Sequence, residues 1–326
     1  MHSIALLGAG RIGAIHGANV AAHPGLALAA IVDPDQTAAS ALAAKTGAPV
    51  SSLDAVLADT TIVGVIIASP TDDHLDHAMQ CAAAGKAMLC EKPLDLDLAR
   101  ARSAGRAFAD ARLLIGFNRR FDPHFAALKG ALDAGDVGAL ETLHITSHDP
   151  APPPLAYVAA SGGLFKDMAI HDFDMARWLL GEEPCEVFAA AACLVDPAIG
   201  EAGDIDTAKT LLRTPSGQLC VISNSRRSGY GYDQRIEAFG SAGALAAGNV
   251  RQSTLEHWGE AGAAAAPLEN FFVDRYRDAY RRELDHFADM LAGGVAPKVG
   301  YGDAVAALVL AEAAGESART GKVVKV

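Results

Sequence analysis

The sequence has no long apolar run, although 51% of its 326 residues are hydrophobic. A helix that crosses a membrane needs roughly 18 to 20 consecutive apolar residues, so no membrane span is expected. Basic residues are also in the minority, and the formal net charge of −12 comes from acids spread along the chain. Because such a field repels phosphate backbones and anionic lipid, neither nucleic acid nor a membrane surface is expected as a partner.

Cysteine is scarce, and no two cysteines form a CxxC pair. The five cysteines are odd in number and far apart: Cys81, Cys90, Cys185, Cys193 and Cys220. This spacing argues against a disulfide framework and against a zinc knuckle. A reducing, cytoplasmic setting is expected.

The chain opens with a strand, a glycine-rich turn, a helix and a second strand. An apolar run at residues 3–7 leads into GAGRIG at 8–13, and helical character follows to residue 22. In such a turn Gly8 permits the tight bend, Gly10 lets the backbone approach a pyrophosphate, and Gly13 lets helix and strand pack closely. The helix N-terminus supplies N–H groups for the phosphates. The pattern predicts a dinucleotide-binding βαβ unit.

The second strand, residues 28–32, ends at Asp33, twenty residues after Gly13. A carboxylate there accepts hydrogen bonds from the adenosine ribose diol and repels a 2′-phosphate. Pro34 and Asp35 follow, where an NADP enzyme would carry a basic side chain. NAD is therefore the predicted cofactor.

Alternating helices and strands continue from this unit to about residue 120. Helices are predicted over 37–46, 73–84 and 96–111, and strands over 62–68, 87–90 and 113–117. Two segments at strand ends, Ser69–Pro70–Thr71 and Glu91–Lys92–Pro93, should face the ligand crevice of such a sheet. Pro93 keeps Lys92 extended and holds its ammonium group at that crevice. A solvated surface lysine is the alternative.

A second motif occupies residues 162–179, where a helix is predicted from about Lys166 after the pair Gly162–Gly163. Asp167 and His171 are four residues apart and would share a helix face, which Asp174 extends. A carboxylate beside an imidazole orients the ring and raises its basicity, as a general base requires. The alternative is an ion pair that only steadies the first turn. The double glycine favours the functional interpretation, because it allows a ligand to approach closely.

After residue 120 the pattern changes. A helix is predicted over 123–134, and strands over 139–148, 186–195, 208–214, 218–225 and 235–240, with a hairpin turn at 215–217. The predicted fold class is α/β: a Rossmann domain with a doubly wound parallel sheet at 1–120, then an α+β domain with a largely antiparallel open sheet at 121–326. Residues 259–266 are interpreted as a loop. Arg281 and Arg282, near Glu283 and Asp285, are interpreted as a solvated helical face.

Four motifs together resemble the glucose–fructose oxidoreductase, inositol dehydrogenase and rhizopine-catabolism (Gfo/Idh/MocA) family. They are GAGRIG at 8–13, EKP at 91–93, GFNRRFD at 116–122 and DMAIHDFDMARWL at 167–179, in the family's order. The resemblance covers essentially the whole chain. Residues 162–181 and YGYDQR at 230–235 are most similar to the inositol 2-dehydrogenase branch.

The resemblance implies roles for individual residues. The implied catalytic residues are Lys92, Asp167 and His171. With the glycine motif, the cofactor-binding set becomes Gly8, Gly10, Arg11, Ile12, Gly13, Asp33, Ser69, Thr71, His74, Glu91 and Lys92. The implied substrate contacts are Lys92, Arg120, His148, Asp167, His171, Tyr230 and Tyr232. A cis Lys92–Pro93 bond is also expected. No metal is expected, because His74 and His77, three residues apart on a helix, have no convincing third ligand.

The implied activity is NAD-dependent oxidation of a secondary hydroxyl of a cyclic polyol, first of all myo-inositol to its 2-ketone. Another inositol isomer or an aldose is the alternative substrate. A non-catalytic NAD-sensing regulator on the same scaffold is the alternative class, and the intact Lys92, Asp167 and His171 set argues against it. The open sheet suggests an oligomer interface, and the resemblance implies a tetramer or a dimer of identical subunits.

Overall fold

A computed structural model describes residues 1–326, with the side chain of residue 159 outside the described part. The chain folds into two compact units. The first comprises Met1–Asn118 and Tyr280–Leu308, and the second comprises Arg119–Ala279 and Val309–Val326. The expected domains at 1–120 and 121–326 differ from these units because Tyr280–Leu308 returns to the first. The pattern of an amphipathic helix does not indicate which sheet the helix will cover, so the sequence does not predict that this segment belongs to the first unit.

The N-terminal part of the chain alternates strands and helices. Its strands are β1 (His2–Leu7), β2 (Leu26–Val32), β3 (Ile62–Ile67), β4 (Ala87–Cys90) and β5 (Leu113–Ile115). Its helices are α1 (Arg11–Ala22), α2 (Gln36–Thr46), α3 (Leu53–Ala58), α4 (Thr71–Ala83) and α5 (Leu98–Ser103). The sequence analysis had assigned no helix to α3.

The later part of the chain has longer strands and shorter helices. Its helices are α6 (Pro123–Asp133), α7 (Leu155–Ala160), α8 (Gly163–Asp167), α9 (Ile170–Leu180), α10 (Pro197–Glu201), α11 (Phe272–Arg275), α12 (Arg277–Leu291) and α13 (Tyr301–Thr320). Its strands are β6 (Leu140–His148), β7 (Glu186–Ala192), β8 (Thr207–Arg213), β9 (Leu219–Ser225), β10 (Asp233–Gly240), β11 (Gly243–Ala247), β12 (Glu256–Gly259), β13 (Gly262–Ala265) and β14 (Val324–Lys325). Among the described residues, we find no helix with the length and apolar character that a membrane span requires.

The first unit is built on a parallel five-stranded sheet in the order β2-β1-β3-β4-β5. Its strands are apolar and buried, and Ile4, Leu6, Val65 and Ile66 have no exposed surface. The strand order reverses between β1 and β3, and ligands of such sheets bind at this switch point, beyond the carboxyl ends of the strands. The predicted parallel sheet is confirmed.

The helix predicted over 96–111 is shorter than expected. It comprises α5 and a 3₁₀ turn over Ala104–Phe108. The Tyr301 hydroxyl donates to the Ala101 carbonyl at 2.5 Å, and the same carbonyl accepts the Ala104 N–H, three residues on, as in a 3₁₀ turn. Gly105 also has low helix propensity. The tighter turn follows from both.

The second unit contains a seven-stranded mixed sheet in the order β11-β10-β6-β9-β8-β7-β14. Only the pair β6 and β9 is parallel in this sheet; the other neighbours are antiparallel. Residues 215–217 connect β8 to β9, as predicted. Along β8, Ala208, Thr210 and Leu212 are buried while Lys209 and Leu211 are exposed. This alternation is typical of a sheet with one open face, and it confirms the largely antiparallel open sheet that was predicted for the second domain.

One sequence interpretation outside the main sheets is wrong, and another, the solvated face of Arg281 and Arg282, is confirmed for the two arginines but not for Glu283. Residues 259–266 contribute to an exposed hairpin, in which β12 pairs with β13 from Glu256↔Ala265 to Gly259↔Gly262. Small residues had suggested a loop, but a two-residue connection between glycines is sufficient to close a hairpin. Glu283 is buried, although its neighbours Arg282 and Asp285 are exposed. The face of α12 that carries Glu283 is therefore not solvated.

Candidate active site

The glycine turn after β1 has no room for side chains at two of its positions. Gly8 has a φ of 97°, and a Cβ there would lie 2.2 Å from the Ala68 carbonyl oxygen. A Cβ on Gly13 would lie 2.0 Å from the Gly8 carbonyl oxygen. These contacts bring the turn against the end of β3 and the start of α1 against the turn. The roles predicted for Gly8 and Gly13 agree with this geometry.

Gly10 differs, because a Cβ there would meet no atom within 4 Å. It is the N-cap of α1, and no described side chain caps that helix end. Arg11 is exposed and Ile12 partly exposed in the first turn of the helix. An open, uncapped N-terminus of a twelve-residue helix presents N–H groups and a positive dipole end to an anion. The space beside Gly10 therefore fits a pyrophosphate.

Asp33 lies at the end of β2 and is held by the backbone. Its Oδ2 accepts the Ala9 N–H at 2.6 Å, and its Oδ1 accepts the Asp35 N–H at 2.8 Å. A carboxylate has about four lone-pair sites, so accepting capacity remains for the two ribose hydroxyls. The residues present thus fit a dinucleotide without a 2′-phosphate.

The segments after β3 and β4 are tied together by His74 from α4. Its Nδ1 lies 2.8 Å from the Pro93 carbonyl oxygen, and its Nε2 lies 2.9 Å from the Ser69 carbonyl oxygen. His74 is buried, whereas Thr71 at the start of α4 is partly exposed. The imidazole therefore positions the two loops that were predicted to line the cofactor.

The EKP segment contains the cis Lys92–Pro93 bond that the resemblance implied. Lys92 is partly exposed, whereas Glu91 beside it is 8% exposed. The Glu91 Oε1 lies 2.8 Å from Nε2 of His16 in α1. The Glu91 side chain is thus directed at a buried histidine, which the sequence analysis did not anticipate.

The predicted helix around Asp167 is interrupted. It starts at Gly163 rather than near Lys166, ends at Asp167 as α8, and resumes at Ile170 as α9. The Ala169 N–H bonds to the Leu164 carbonyl at 2.9 Å, five residues back, which widens the turn. Asp167 and His171 are therefore not on one continuous helical face, and that expectation is wrong. Apolar spacing does not reveal such a local widening.

Asp167 is held by two side chains that the sequence analysis missed. Its Oδ1 accepts a hydrogen bond from the Tyr157 hydroxyl at 2.8 Å, and its Oδ2 accepts one from Nη1 of Arg226 at 3.0 Å. The same Arg226 nitrogen lies 3.7 Å from Asp149. Burial raises the pKa of Asp149 to about 6 against the opposing effect of Arg226, although 24% of its side chain stays exposed. Tyr157 and Arg226 lie 10 and 59 residues from Asp167, so no local motif could identify them.

The two arginines of GFNRRFD bond to acids of α9. Arg120 forms a bidentate pair with Asp174, at 2.6 and 2.8 Å, and Arg119 contacts Asp172 at 2.5 Å. Asp172 has no exposed surface and also accepts from Asn224 at 2.7 Å. Arg120 was predicted to contact substrate, but its guanidinium is committed to Asp174. Its contacts with Asp174 and with the Trp178 ring favour a structural role.

The other expected substrate contacts have three different surroundings. The Nε2 of His148 lies 2.8 Å from the Ser223 hydroxyl, on the sheet face opposite to buried Ser147. Tyr230 is 61% exposed and donates to Asp233 at 2.6 Å. Tyr232 is buried against Tyr276, with ring centroids 6.1 Å apart. Burial raises the pKa of Tyr232 well above its usual value.

The glycine turn at residues 8–13 and Asp33 are typical of a nucleotide-dependent oxidoreductase. The family described as "Oxidoreductase family, NAD-binding Rossmann fold" matches residues 2–118, and the GFO/IDH/MocA C-terminal domain matches residues 125–246. The chain therefore belongs to the Gfo/Idh/MocA family of NAD-binding oxidoreductases, as the resemblance indicated.

Its relatives match over nearly the full length. An inositol 2-dehydrogenase of Rhizobium meliloti (strain 1021) is 49% identical, over 95% of this chain and 94% of the relative. The crystal structure of a myo-inositol dehydrogenase from Corynebacterium glutamicum ATCC 13032 has a TM-score of 0.95 at 44% identity, covering 99% of this chain and 98% of that one. A scyllo-inositol dehydrogenase from Lactobacillus casei, solved with NAD(H) and scyllo-inositol, has a TM-score of 0.92 at 26% identity, covering 100% of this chain and 99% of that one.

Proposed function

We propose that the protein oxidises myo-inositol at one secondary hydroxyl to the corresponding 2-ketone, with NAD as the hydride acceptor. One observation carries the proposal: the chain is 49% identical to an inositol 2-dehydrogenase over 95% of its length, and it contains Lys92, Asp167 and His171. A base, a cation and an orienting carboxylate together suit alcohol oxidation. A regulator that had lost catalysis would not need all three.

In the proposed mechanism His171 accepts the hydroxyl proton as general base. Lys92 donates a hydrogen bond to the same oxygen and offsets the negative charge that develops there. Asp167 is the orienting carboxylate of the set, and its own position is fixed by hydrogen bonds from Tyr157 and Arg226. The turn from Gly8 to Gly13 and Asp33 would hold NAD, which would accept the hydride.

The test is NADH formation from a panel of inositols and aldoses, repeated with NADP. We expect turnover with myo-inositol and NAD, and the His171→Ala variant should lose about two to four orders of magnitude in kcat while still binding NAD. His257, exposed on β12, provides the matched control, because His257→Ala should leave kcat unchanged. Unchanged turnover in His171→Ala would remove the base assignment. No NADH with any cyclic polyol would remove the substrate class.

Another inositol isomer is the second candidate substrate. The relative from L. casei was solved with scyllo-inositol at a TM-score of 0.92, so this fold accommodates more than one inositol stereoisomer. The same panel separates the two, through the ratio of kcat/KM for myo- and scyllo-inositol. Turnover of an aldose but of no inositol would favour the sugar alternative.

We also propose that the protein is a cytoplasmic homo-oligomer. The open face of the large sheet exposes apolar side chains on several strands: Phe188 (39%), Leu211 (38%), Val221 (36%) and Phe239 (54%). Such a set is unusual on a monomer and suits a self-complementary interface. All five cysteines are free thiols, which is compatible with a reducing compartment. Light scattering should give a dimer or tetramer, and Leu211→Lys should shift it towards monomer; a wild-type monomer would contradict the proposal.

A further inference from the structure

Three ionisable side chains meet inside the first unit. His16 comes from α1, Glu91 follows β4, and Glu283 comes from α12. One ligand-type atom of each lies within 4.8 Å of the other two. Their exposures are 0%, 8% and 0%. Two carboxyl groups and an imidazole therefore share one buried space.

The hydrogen bonds of this group are incomplete without a proton. His16 and Glu91 are joined at 2.8 Å, but neither carboxyl oxygen of Glu283 has a hydrogen-bond partner among the described residues. Two adjacent carboxylates cannot both be ionised where water is excluded, because each also carries a large desolvation penalty. Burial raises the pKa of Glu283 well above its usual value, and the charge of Glu91 adds to the shift.

Tetrahedral zinc is another way to neutralise such a group, and the distance between His16 and Glu91 argues against it. Zinc binds imidazole nitrogen at about 2.0–2.1 Å and carboxylate oxygen at about 2.0–2.2 Å, so two tetrahedral ligands lie roughly 3.3 Å apart. The separation of 2.8 Å between His16 Nε2 and Glu91 Oε1 is shorter, and it is the length of a direct hydrogen bond. The pair is thus already closed.

We propose that Glu283 is a positioning residue that keeps its carboxyl proton in the neutral range and donates it to Glu91. Glu91 would then be fixed from two sides, by His16 and by Glu283, directly before Lys92. The surroundings support a rigid clamp: a Cβ on Gly116 would lie 2.9 Å from the Glu91 Oε2, and Tyr280 packs edge-on against the His16 ring at 5.6 Å. The relevance to catalysis rests on the role proposed for Lys92.

The groups that face Glu283 are His16 of α1, Glu91 after β4 and, beside the His16 ring, Tyr280, which lies one turn earlier on α12 itself. The Glu283 pKa is higher in the folded state than in the unfolded chain. The resulting stabilisation is therefore fully present below the pKa of the unfolded state, and it is lost as the pH rises towards the pKa of the folded state. Wild-type thermal stability should therefore contain a component that falls with rising pH. Glu283→Gln stays neutral and keeps a donor, so this component should disappear in that variant.

The experiment compares full-length wild type, Glu283→Gln and Glu283→Leu. Infrared spectroscopy at neutral pH should show a protonated carboxyl band in wild type that is absent from Glu283→Gln. Kcat should stay within about threefold in Glu283→Gln, which retains a donor, and fall at least about tenfold in Glu283→Leu, which does not. Asp285→Asn is the matched control on α12 for the carboxyl band and for kcat, since 62% of the Asp285 side chain is exposed, and it should match wild type in both; its contact with His23 at 3.3 Å keeps it out of the melting comparison.

Three results would overturn the proposal. They are the same carboxyl band in wild type and Glu283→Gln, the same pH dependence of melting in both, or a stoichiometric divalent metal in purified wild type that Glu283→Gln loses. The spectroscopic and melting measurements need no substrate, and they still apply if Glu283→Leu fails to fold. If both succeed and no polyol is oxidised, the proposed function fails while the protonation of Glu283 stands.

Discussion

Replacing Asp33 with Asn tests the basis of the cofactor preference. The substitution removes one negative charge at the end of β2 and leaves a side chain of nearly the same shape. Asp33 is partly exposed, and its two oxygens accept N–H groups of Ala9 and Asp35 at 2.6 and 2.8 Å. The carboxylate is therefore held in place, so its charge acts from a fixed position.

The magnitude follows from charge and hydrogen bonding. Two unit charges 4 Å apart repel by about 1 kcal/mol in water and about 4 kcal/mol near a protein surface, so loss of the carboxylate should favour NADP by about 2 kcal/mol. A hydrogen bond to a charged group contributes about 1 kcal/mol more than a neutral one, so the bond to the 2′-hydroxyl, which NADP lacks, should cost NAD about 1 kcal/mol relative to NADP. The ratio of kcat/KM for NAD to that for NADP should fall about 10²- to 10³-fold.

The assay measures kcat/KM for both cofactors with a saturating polyol. Asp35→Asn is the matched control, because Asp35 is an exposed carboxylate two residues away that caps α2 through the Thr37 and Ala38 N–H groups. That variant should lose some stability and keep its cofactor preference. A preference unchanged in Asp33→Asn, or changed equally in Asp35→Asn, would refute the reasoning.

Two further predictions concern the second unit. Asp149 has a folded pKa of about 6, so ionisation there should alter the pull on Arg226 and hence on Asp167. Asp149→Asn should therefore remove an inflection near pH 6 from the pH profile of kcat, and an inflection that persists would point to another group. The variant should also be more stable than wild type above that pH, because a carboxyl group with a raised folded pKa destabilises the fold as the pH rises through that pKa. Arg119→Met leaves Asp172 buried without its cation and should lower the free energy of unfolding by about 3–5 kcal/mol in urea. The double variant Arg119→Met, Asp172→Leu should recover most of that loss, and no recovery would show that the ion pair itself is not the cause.

Local chemistry is the part of the fold that sequence patterns predict well. The turn from Gly8 to Gly13 needs only neighbouring residues to define it, and Asp33 follows one strand later. Buried parallel strands are apolar throughout, which the run at residues 62–67 shows. These features depend on backbone conformation and strand burial, and both are visible in the local sequence, as glycine spacing and as continuous apolar runs.

The surroundings of the proposed catalytic residues leave no such trace. Arg226 reaches Asp167 because β9 ends beside α8, and that juxtaposition depends on the strand order of a mixed sheet. The widened turn at Ala169 changes the side-chain direction without changing the apolar spacing. Glu283 stands among exposed charged residues in sequence, and only the packing of α12 shows that it is buried.

The return of Tyr280–Leu308 to the first unit also constrains biosynthesis. A Cβ on Gly64 of β3 would lie 3.0 Å from Leu291 and 3.1 Å from Phe287, so α12 covers the centre of the parallel sheet. A nascent chain that has emerged only to residue 118 leaves this apolar surface uncovered. At about 5–20 residues per second, translation needs roughly 10 to 40 s more to supply the missing helix. Over that interval the N-terminal third should need protection from aggregation, and a fragment cut at residue 118 should be aggregation-prone rather than an independent nucleotide-binding domain.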